Sequence, residues 1–554
     1  MTLRTLLLSA IIANVVACTA PPSRQQADAA RASAVPMFET FGDLHRDIGS
    51  PVAAAQRYFD QGLRMAYGFN HEAAGRAFAE AARLDPACAM CVWGQAMVLG
   101  PNINLPMDPA LAKNATELAK RAAALSASAR PADRGLIMAQ LLRFRDPAPQ
   151  DRTALDRAYA EALGRVVAEF PLDDDVATLH AEALMDLSPW AYWTADGNPT
   201  EFTPAILAAL ERVLARNPRH LGAMHYYIHA TEASRTPERA LAAADALAAL
   251  APGSGHLVHM PAHTYIRVGR YHDATLTNFA ATTADAAFLS FCRGSNGVYP
   301  LGYVPHNWHF ATMTTGLTGS RVLSLQAARQ TASRVDRAVM GTPEMAFMQA
   351  FLVAPLFTQV RFGDWKDILA SAAPPADLPF PTGIWRFARG MAHVRGDALA
   401  EASRDADALH AIATNPDMQT LQLGPSTFAG GVLRVADALL RGELLRASGK
   451  PADALASLRL AVAAEDALPY NEPADWPLPT RHYLGAALLE AGLAKDARQA
   501  FLEDLERYPA NGWSLFGLAE AERLLGHADA ARDAEQRLVL AWQWADAPLT
   551  AARY

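Results

Sequence analysis

Charge is scarce in this chain. Asp, Glu, Lys and Arg make up 19% of its 554 residues, below the roughly 25% of an ordinary soluble protein. Beside 51% hydrophobic residues, that scarcity excludes a disordered polyelectrolyte, which is rich in charge and poor in apolar residues. A positive surplus is lacking too: 49 basic against 57 acidic side chains give a net charge of −8. The chain has no electrostatic footprint for nucleic acid, and none is expected as a partner. Four cysteines are too few for a disulfide framework. No stretch reaches the about 18 uninterrupted apolar residues of a permanent membrane helix. What is plentiful is length, enough for about three or four domains or one long repeat array, and 16 histidines.

The start of the chain sets the compartment. Arg4 precedes an apolar core from Leu6 to Val16, and the segment ends Val15-Val16-Ala17-Cys18. A core of about eleven residues is too short to span a bilayer. Small residues directly before a cysteine resemble the lipobox of bacterial lipoproteins. The resemblance implies that Cys18 is lipidated and becomes the first residue of the mature chain. The other reading is an ordinary secretory signal cut nearby. Both imply export to the cell envelope. With lipid, Thr19 favours the outer membrane of a two-membrane cell; without it, the product is released to the periplasm. Residues Thr19 to Pro36, rich in Ala, Ser and Pro, read as a flexible tether.

Beyond the tether the apolar residues follow a helical period, punctuated by Gly and Pro. Phe59-Asp60-Gln61-Gly62-Leu63, then Phe69-Asn70-His71-Glu72-Ala73-Ala74, Phe78, Ala81 and Asp85-Pro86 resemble a tetratricopeptide repeat (TPR), a 34-residue helix pair. The pattern returns at Gly269-Arg270-Tyr271-His272-Asp273-Ala274, at Leu484-Gly485 with Gly492, and at Tyr508-Pro509 leading to Gly526. Weaker copies surround Gly363-Asp364-Trp365 and Gly449-Lys450-Pro451. The resemblance implies an all-α fold, a right-handed α-solenoid of TPR-like helix pairs, with about eight to ten repeats and a concave groove lined by first helices. Residues 37–204 would form N-terminal repeats, 205–340 histidine-bearing repeats and 341–554 C-terminal repeats. His256 to Ala274 (HLVHMPAHTYIRVGRYHDA) and Asn511 to Glu520 (NGWSLFGLAE) also resemble a His-rich bacterial envelope subfamily, from which no activity carries over.

Half of the histidines fall between His225 and His309. His225 to His259 and His229 to His263 are each 34 residues; His256 to His306 and His259 to His309 are each 50, one repeat plus a 16-residue insertion. On the repeat, His256 and His306 occupy position two. His225, His259 and His309 occupy position five, His229 and His263 position nine, and Glu232 position twelve. Met313 takes position nine of the third copy. These positions share one helix face, so imidazoles of neighbouring first helices should meet. Imidazoles at this spacing point to a transition-metal site built from His225, His229, Glu232, His256, His259, His263, His306 and His309, holding Cu, Zn or Fe, with Ni also suited. Met313 slightly favours copper. HExxH is absent, so no zincin assignment follows. So many imidazoles exceed one tetrahedral shell, leaving some to support ligands, contact substrate or hold a second metal.

The remaining features are plainer. Cys88-Ala-Met-Cys91 is followed by Val92, which excludes c-type haem attachment and leaves a structural disulfide or a redox pair. Cys292 reads as a lone thiol. Pro261 should kink the helix carrying His256 and His263. The aromatic loop Ser188 to Thr194 and the insertion Ser290 to Val304 are placed to cover the histidines or to pack the stack. His45, His71, His410 and His527 read as unpartnered, His272 as solvated and His220 as a turn residue. His180, Glu182 and Asp186 are further candidate contributors to the site. His393 and His482 have no matching ligands nearby.

Three functions fit. One is a metal-binding envelope protein, possible as a metal-dependent oxidoreductase or hydrolase on a small molecule or peptide, with Glu232 as general base. Another is a scaffold that binds a peptide or protein in the groove. The third is a periplasmic metal carrier. Fold alone does not choose among them.

Overall fold

A computed structural model describes residues 35–292, 297–342, 345–424 and 426–553. The signal segment, Cys18 and nearly all of the tether lie outside the described residues. Among those described, every regular element is a helix, joined only by isolated bridges. The fold is an all-α solenoid. No helix in it is long and apolar enough to cross a membrane.

The helix pairs share one turn. Gly319, Gly492 and Gly526 have φ of 72°, 74° and 78°, and each stands two residues before the second helix of its pair, which begins at Arg321, Ala494 or Ala528. That backbone suits glycine, which has no Cβ to clash. Two pairs break the rule. Phe69 (φ 55°) and Asp397 (φ 58°) occupy the same turn position, before helices beginning at His71 and Leu399. Small residues elsewhere let helices approach: a Cβ on Gly62 or Gly94 would come within 2.7 or 2.5 Å of the Phe78 ring.

Packing divides into two large cores. One gathers residues from Phe41 to Leu317, together with Tyr508; the other runs from Val353 to Ala552. The second half returns to the first. Asp546 accepts hydrogen bonds from the backbone N–H of Arg321 at 2.6 Å and of Val322 at 3.1 Å, and Ser320 Oγ donates to the Trp544 carbonyl at 2.9 Å. A Cβ on Gly269 would come within 2.6 Å of the Pro509 carbonyl oxygen. The histidine-bearing repeats are thus enclosed by chain from both ends. Cys88 and Cys91 are disulfide-bonded at the start of the helix Ala89–Met97.

Candidate metal centre

Three first helices carry the histidines: Leu221–Glu232, the pair Gly255–His259 and Pro261–Arg267, and Val304–Leu317. Pro261 divides the middle one, as its missing N–H requires, and the His263 N–H reaches back only to the Met260 carbonyl at 3.1 Å. The break leaves His259 and His263 on one face, with their Nε2 atoms 2.9 Å apart.

Six imidazoles converge in two sets of three, and a third candidate group, His229, Glu232 and His263, spans the two. In His225, His229 and His256, and again in His259, His263 and His306, one nitrogen from each ring lies within 4.8 Å of the other two. His256 Nε2 is 3.1 Å from His225 Nε2, and His306 Nε2 is 3.1 Å from His259 Nε2. The sets adjoin: the His229 and His263 rings are 5.2 Å apart and the His256 and His259 rings 5.8 Å. His225 and His259 are 0% exposed, and His229, His256 and His263 at most 2%.

The protons on four of these rings are fixed by their outer partners. His225 Nδ1 lies 2.6 Å from the Tyr67 carbonyl, which can only accept. His229 Nδ1 and His263 Nδ1 lie 2.8 and 2.5 Å from the two oxygens of Glu232. His259 Nδ1 lies 2.7 Å from Asn278 Oδ1, whose amide is oriented by donation from Nδ2 to the Ala274 carbonyl at 2.6 Å. Burial alone would raise the Glu232 pKa, but the charges and hydrogen bonds of His263 and His229 hold it down at about 2, so it is an acceptor at neutral pH. When neutral, each of the four rings carries its hydrogen on Nδ1 and turns an Nε2 lone pair inward. This is how metal-ligating histidines are held.

Protons do not easily relieve the crowding of lone pairs. Burial, followed by the repulsion of neighbouring imidazoles, pushes His256 and His306 well below the ordinary histidine pKa, and does the same to His225 and His259 against one opposing hydrogen bond each. Burial lowers His229 as well, against the pull of Glu232. His229 Nε2 and His256 Nδ1 have no hydrogen-bond partner among the described residues. Buried polar atoms are ordinarily paired.

Aromatic residues close the space around the rings. Phe69 packs on His225 at 4.4 Å and on His256 at 5.3 Å. Tyr303 meets His256 at 4.8 Å, Trp190 meets His229 at 5.3 Å, and Phe310 meets both His259 and His263 at 4.9 Å. Asn104 ties two of these together, donating to Tyr303 Oη at 3.0 Å and accepting from Trp190 Nε1 at 3.1 Å. Trp190 and Tyr303 come from the two loops singled out in the sequence, so both cover the histidines. Behind the rings, Asp285 accepts from Tyr299 and Asn307, each at 2.8 Å, and Tyr299 Oη accepts from the His256 N–H at 3.2 Å. This triangle aligns the helices of His256 and His306. On the opposite side Arg267 donates to the Glu232 carbonyl and stacks on Tyr470 at 5.3 Å. Tyr470 donates to Glu472 at 2.8 Å.

Several expectations need correction. His309 shares repeat position five with His225 and His259, yet it supplies no nitrogen to either set. Its ring packs on Phe351 at 5.4 Å, and with Met313 it lines a separate cavity of about 20 Å³. Glu232 stands where the register puts it: both its oxygens are engaged by Nδ1 atoms, which braces the rings, and with His229 and His263 it forms a third group able to hold a metal. Arg143 donates to Asp186 at 2.9 Å, and burial raises the pKa of Glu182 and Asp186 in the same separate network. His180 lies against Gly164. The four histidines expected to be unpartnered have partners: His45 with Asp60 at 2.7 Å, His71 with Asn102 at 3.2 Å, His410 with Asp437 at 2.8 Å and His527 with Glu522 at 2.7 Å. His272 is stacked on Trp544 at 4.0 Å. His220 is buried and caps its helix, accepting from the Ala223 N–H at 3.1 Å.

No family model matches the sequence, and no curated protein is similar to it at a significant level. Solved structures that match include a human IFIT1 dimer with PPP-AAAA, at 10% identity and a TM-score of 0.31, covering 88% of this chain and 91% of that one. The TPR domain of P58(IPK) matches at 13% identity and a TM-score of 0.23, with 86% and 99% covered. The APC/C hetero-tetramer Cut9-Hcn1 matches at 12% and 0.26, with 88% and 93% covered.

Proposed function

We propose that this protein is an exported, lipid-anchored solenoid whose interior holds a transition-metal centre on the clustered histidines. The observation that carries the reading is the facing of His259 Nε2 and His263 Nε2 at 2.9 Å while both Nδ1 hydrogens are committed outward. Between neutral rings the two lone pairs at that distance repel unless a proton or a cation lies between them, and burial opposes protonating His259. A bound cation resolves the conflict, and imidazole nitrogen suits Zn, Cu, Fe and Ni. Enclosure shapes what such a centre does. With five of the six rings almost fully buried, it suits redox chemistry, binding of ligands of a few atoms, or storage of the metal itself.

The test is metal content. Purified full chain, stripped with chelator and reconstituted separately with Zn, Cu and Fe, is expected to retain at least one equivalent of one of them after desalting. Retention below about 0.1 per chain with all three would remove the reading, since a preformed imidazole site binds tightly.

A further inference from the structure

The two histidine sets are the same construction, moved along by one repeat. The first takes positions five and nine of one first helix, His225 and His229, and position two of the next, His256. The second takes positions five and nine of that next helix, His259 and His263, and position two of the one after, His306. Each set contains two rings with Nδ1 held by an outer acceptor, and in each the third ring brings its Nε2 to 3.1 Å from a fixed Nε2. The six nitrogens do not merge into one group, though His229 and His263 also form a group with Glu232 that spans the sets. Glu232 joins the sets from behind, one oxygen to His229 and the other to His263.

We propose that the centre is dinuclear, one ion on His225, His229 and His256 and a second on His259, His263 and His306, with a small anion bridging the pair. This rests on the metal reading above and adds the number of ions and the class of ligand. Three imidazoles leave each ion with an open position, since tetrahedral sites take four ligands. Rings of the two sets are only 5.2 and 5.8 Å apart, so the open positions adjoin. Charge points the same way. Neutral imidazoles cancel nothing, and among the described residues Glu232 is the single carboxylate hydrogen-bonded to the ligand rings, so two divalent ions would leave a large buried positive charge. An anion between them offsets part of it. Phe69, Tyr303, Phe310 and Trp190 pack directly on the rings, which favours a small anion such as hydroxide, azide or a reduced form of dioxygen.

Titration of the metal-stripped full chain with Cu(II) alone, followed by azide, tests this. Bound copper should saturate at two per chain, and the second equivalent should reduce the paramagnetic resonance signal per copper as the ions couple. An azide charge-transfer band should grow in with that second equivalent. His225→Ala and His259→Ala should each bind one copper with a full, uncoupled signal. Saturation of the unmodified chain at one copper would overturn the dinuclear proposal and leave the metal reading standing; retention of none would overturn the dinuclear proposal, and the metal reading with it only if zinc and iron are not retained either. Two coppers with a full uncoupled signal would also overturn it, because the ions would then lie apart. Copper binding by the unmodified chain decides the matter even if either variant fails to fold.

Discussion

His259 and His263 face each other through their Nε2 atoms at 2.9 Å, with neither Nδ1 hydrogen free to turn inward. Rotating either ring to relieve the contact would break a hydrogen bond to Asn278 or Glu232 in a buried space, and an unpaired buried acceptor costs about 1–3 kcal/mol. A proton or a cation between the two nitrogens would relieve that contact. A metal bound there would couple its ligation to folding.

The coupling is measurable as heat stability. A metal at about 1,000 times its Kd stabilises the folded chain by roughly 4 kcal/mol. Loading should raise Tm, and His229→Ala and His263→Ala should each lose most of that rise and weaken affinity roughly 10-fold or more. His527→Ala removes a ring paired with Glu522 at the surface and should keep both. Differential scanning calorimetry with and without metal reads all three.

Glu232→Gln tests the brace. The amide keeps the shape but loses the charge that fixes two Nδ1 hydrogens, and its nitrogen cannot accept from an imidazole. Metal affinity in a competitive chelator titration should fall about 10- to 100-fold, while far-ultraviolet dichroism stays unchanged. Unaltered affinity would show that Glu232 does not orient the ligands.

Acid should destabilise the metal-free protein. The folded-state pKa values of His71 and His309 are pushed down to about 4 by burial, and His225, His229, His256, His259 and His306 are lowered as well. Unfolded histidines titrate near about 6.5. Below that pH the unfolded chain binds more protons than the folded one, so this contribution is present above it and is lost as pH falls toward the folded values. Buried carboxyls act oppositely: burial raises Asp285 to about 6 and, against the pull of Arg267, Glu472 to about 7, and lifts Asp60, Glu182, Asp186, Glu465 and Asp475 as well. With His180 and His272 also lowered, the histidines still outnumber them, so Tm of the metal-free chain should be lower at pH 5 than at pH 7.5. An unchanged or higher Tm at pH 5 would contradict this.

Phe69 and Asp397 make a matched pair. Both adopt left-handed backbone at a turn where other repeats use glycine, a conformation costing a non-glycine residue roughly 1–2 kcal/mol. Asp397 is exposed, and Asp397→Gly should stabilise the chain by up to about 1 kcal/mol, since glycine gives back part of the gain as entropy. Phe69→Gly relieves the same backbone but uncovers His225 and His256, and emptying a buried phenylalanine site costs about 3–5 kcal/mol. It should lower Tm and speed metal loss to chelator. Urea denaturation of both variants gives opposite signs if Phe69 is kept for the histidines.

The repeat period made much of this legible in advance. Offsets of 34 and 50 residues placed His225 with His259, His229 with His263 and His256 with His306 on corresponding turns, and the structure brings those six together. His309 carried the same register, but Met313 stands at its position nine, so the two-ring half of a set is never completed there. The partners that fix the protons left no such trace. Tyr67 acts through its backbone carbonyl, which no side-chain pattern encodes. Asn278 and Asp285 lie on the second helix Tyr271–Phe291, off the face where the register was read. Phe69 hid in a match to the repeat, since an aromatic residue there looked ordinary until its φ placed it at a glycine position. Arg267, Tyr470 and Glu472 meet only because the C-terminal half returns to the histidine repeats, a long-range closure that local periodicity does not carry.

Absorption spectroscopy at the metal K-edge of the loaded full chain tests the central claim most directly, because it reads the atoms bound to the ion. Ligation by histidine Nε2 predicts a first shell of nitrogen at about 2.0–2.1 Å for zinc, with the multiple scattering of three imidazoles behind it and no sulfur. A shell of oxygen alone, or sulfur at about 2.3 Å, would contradict it.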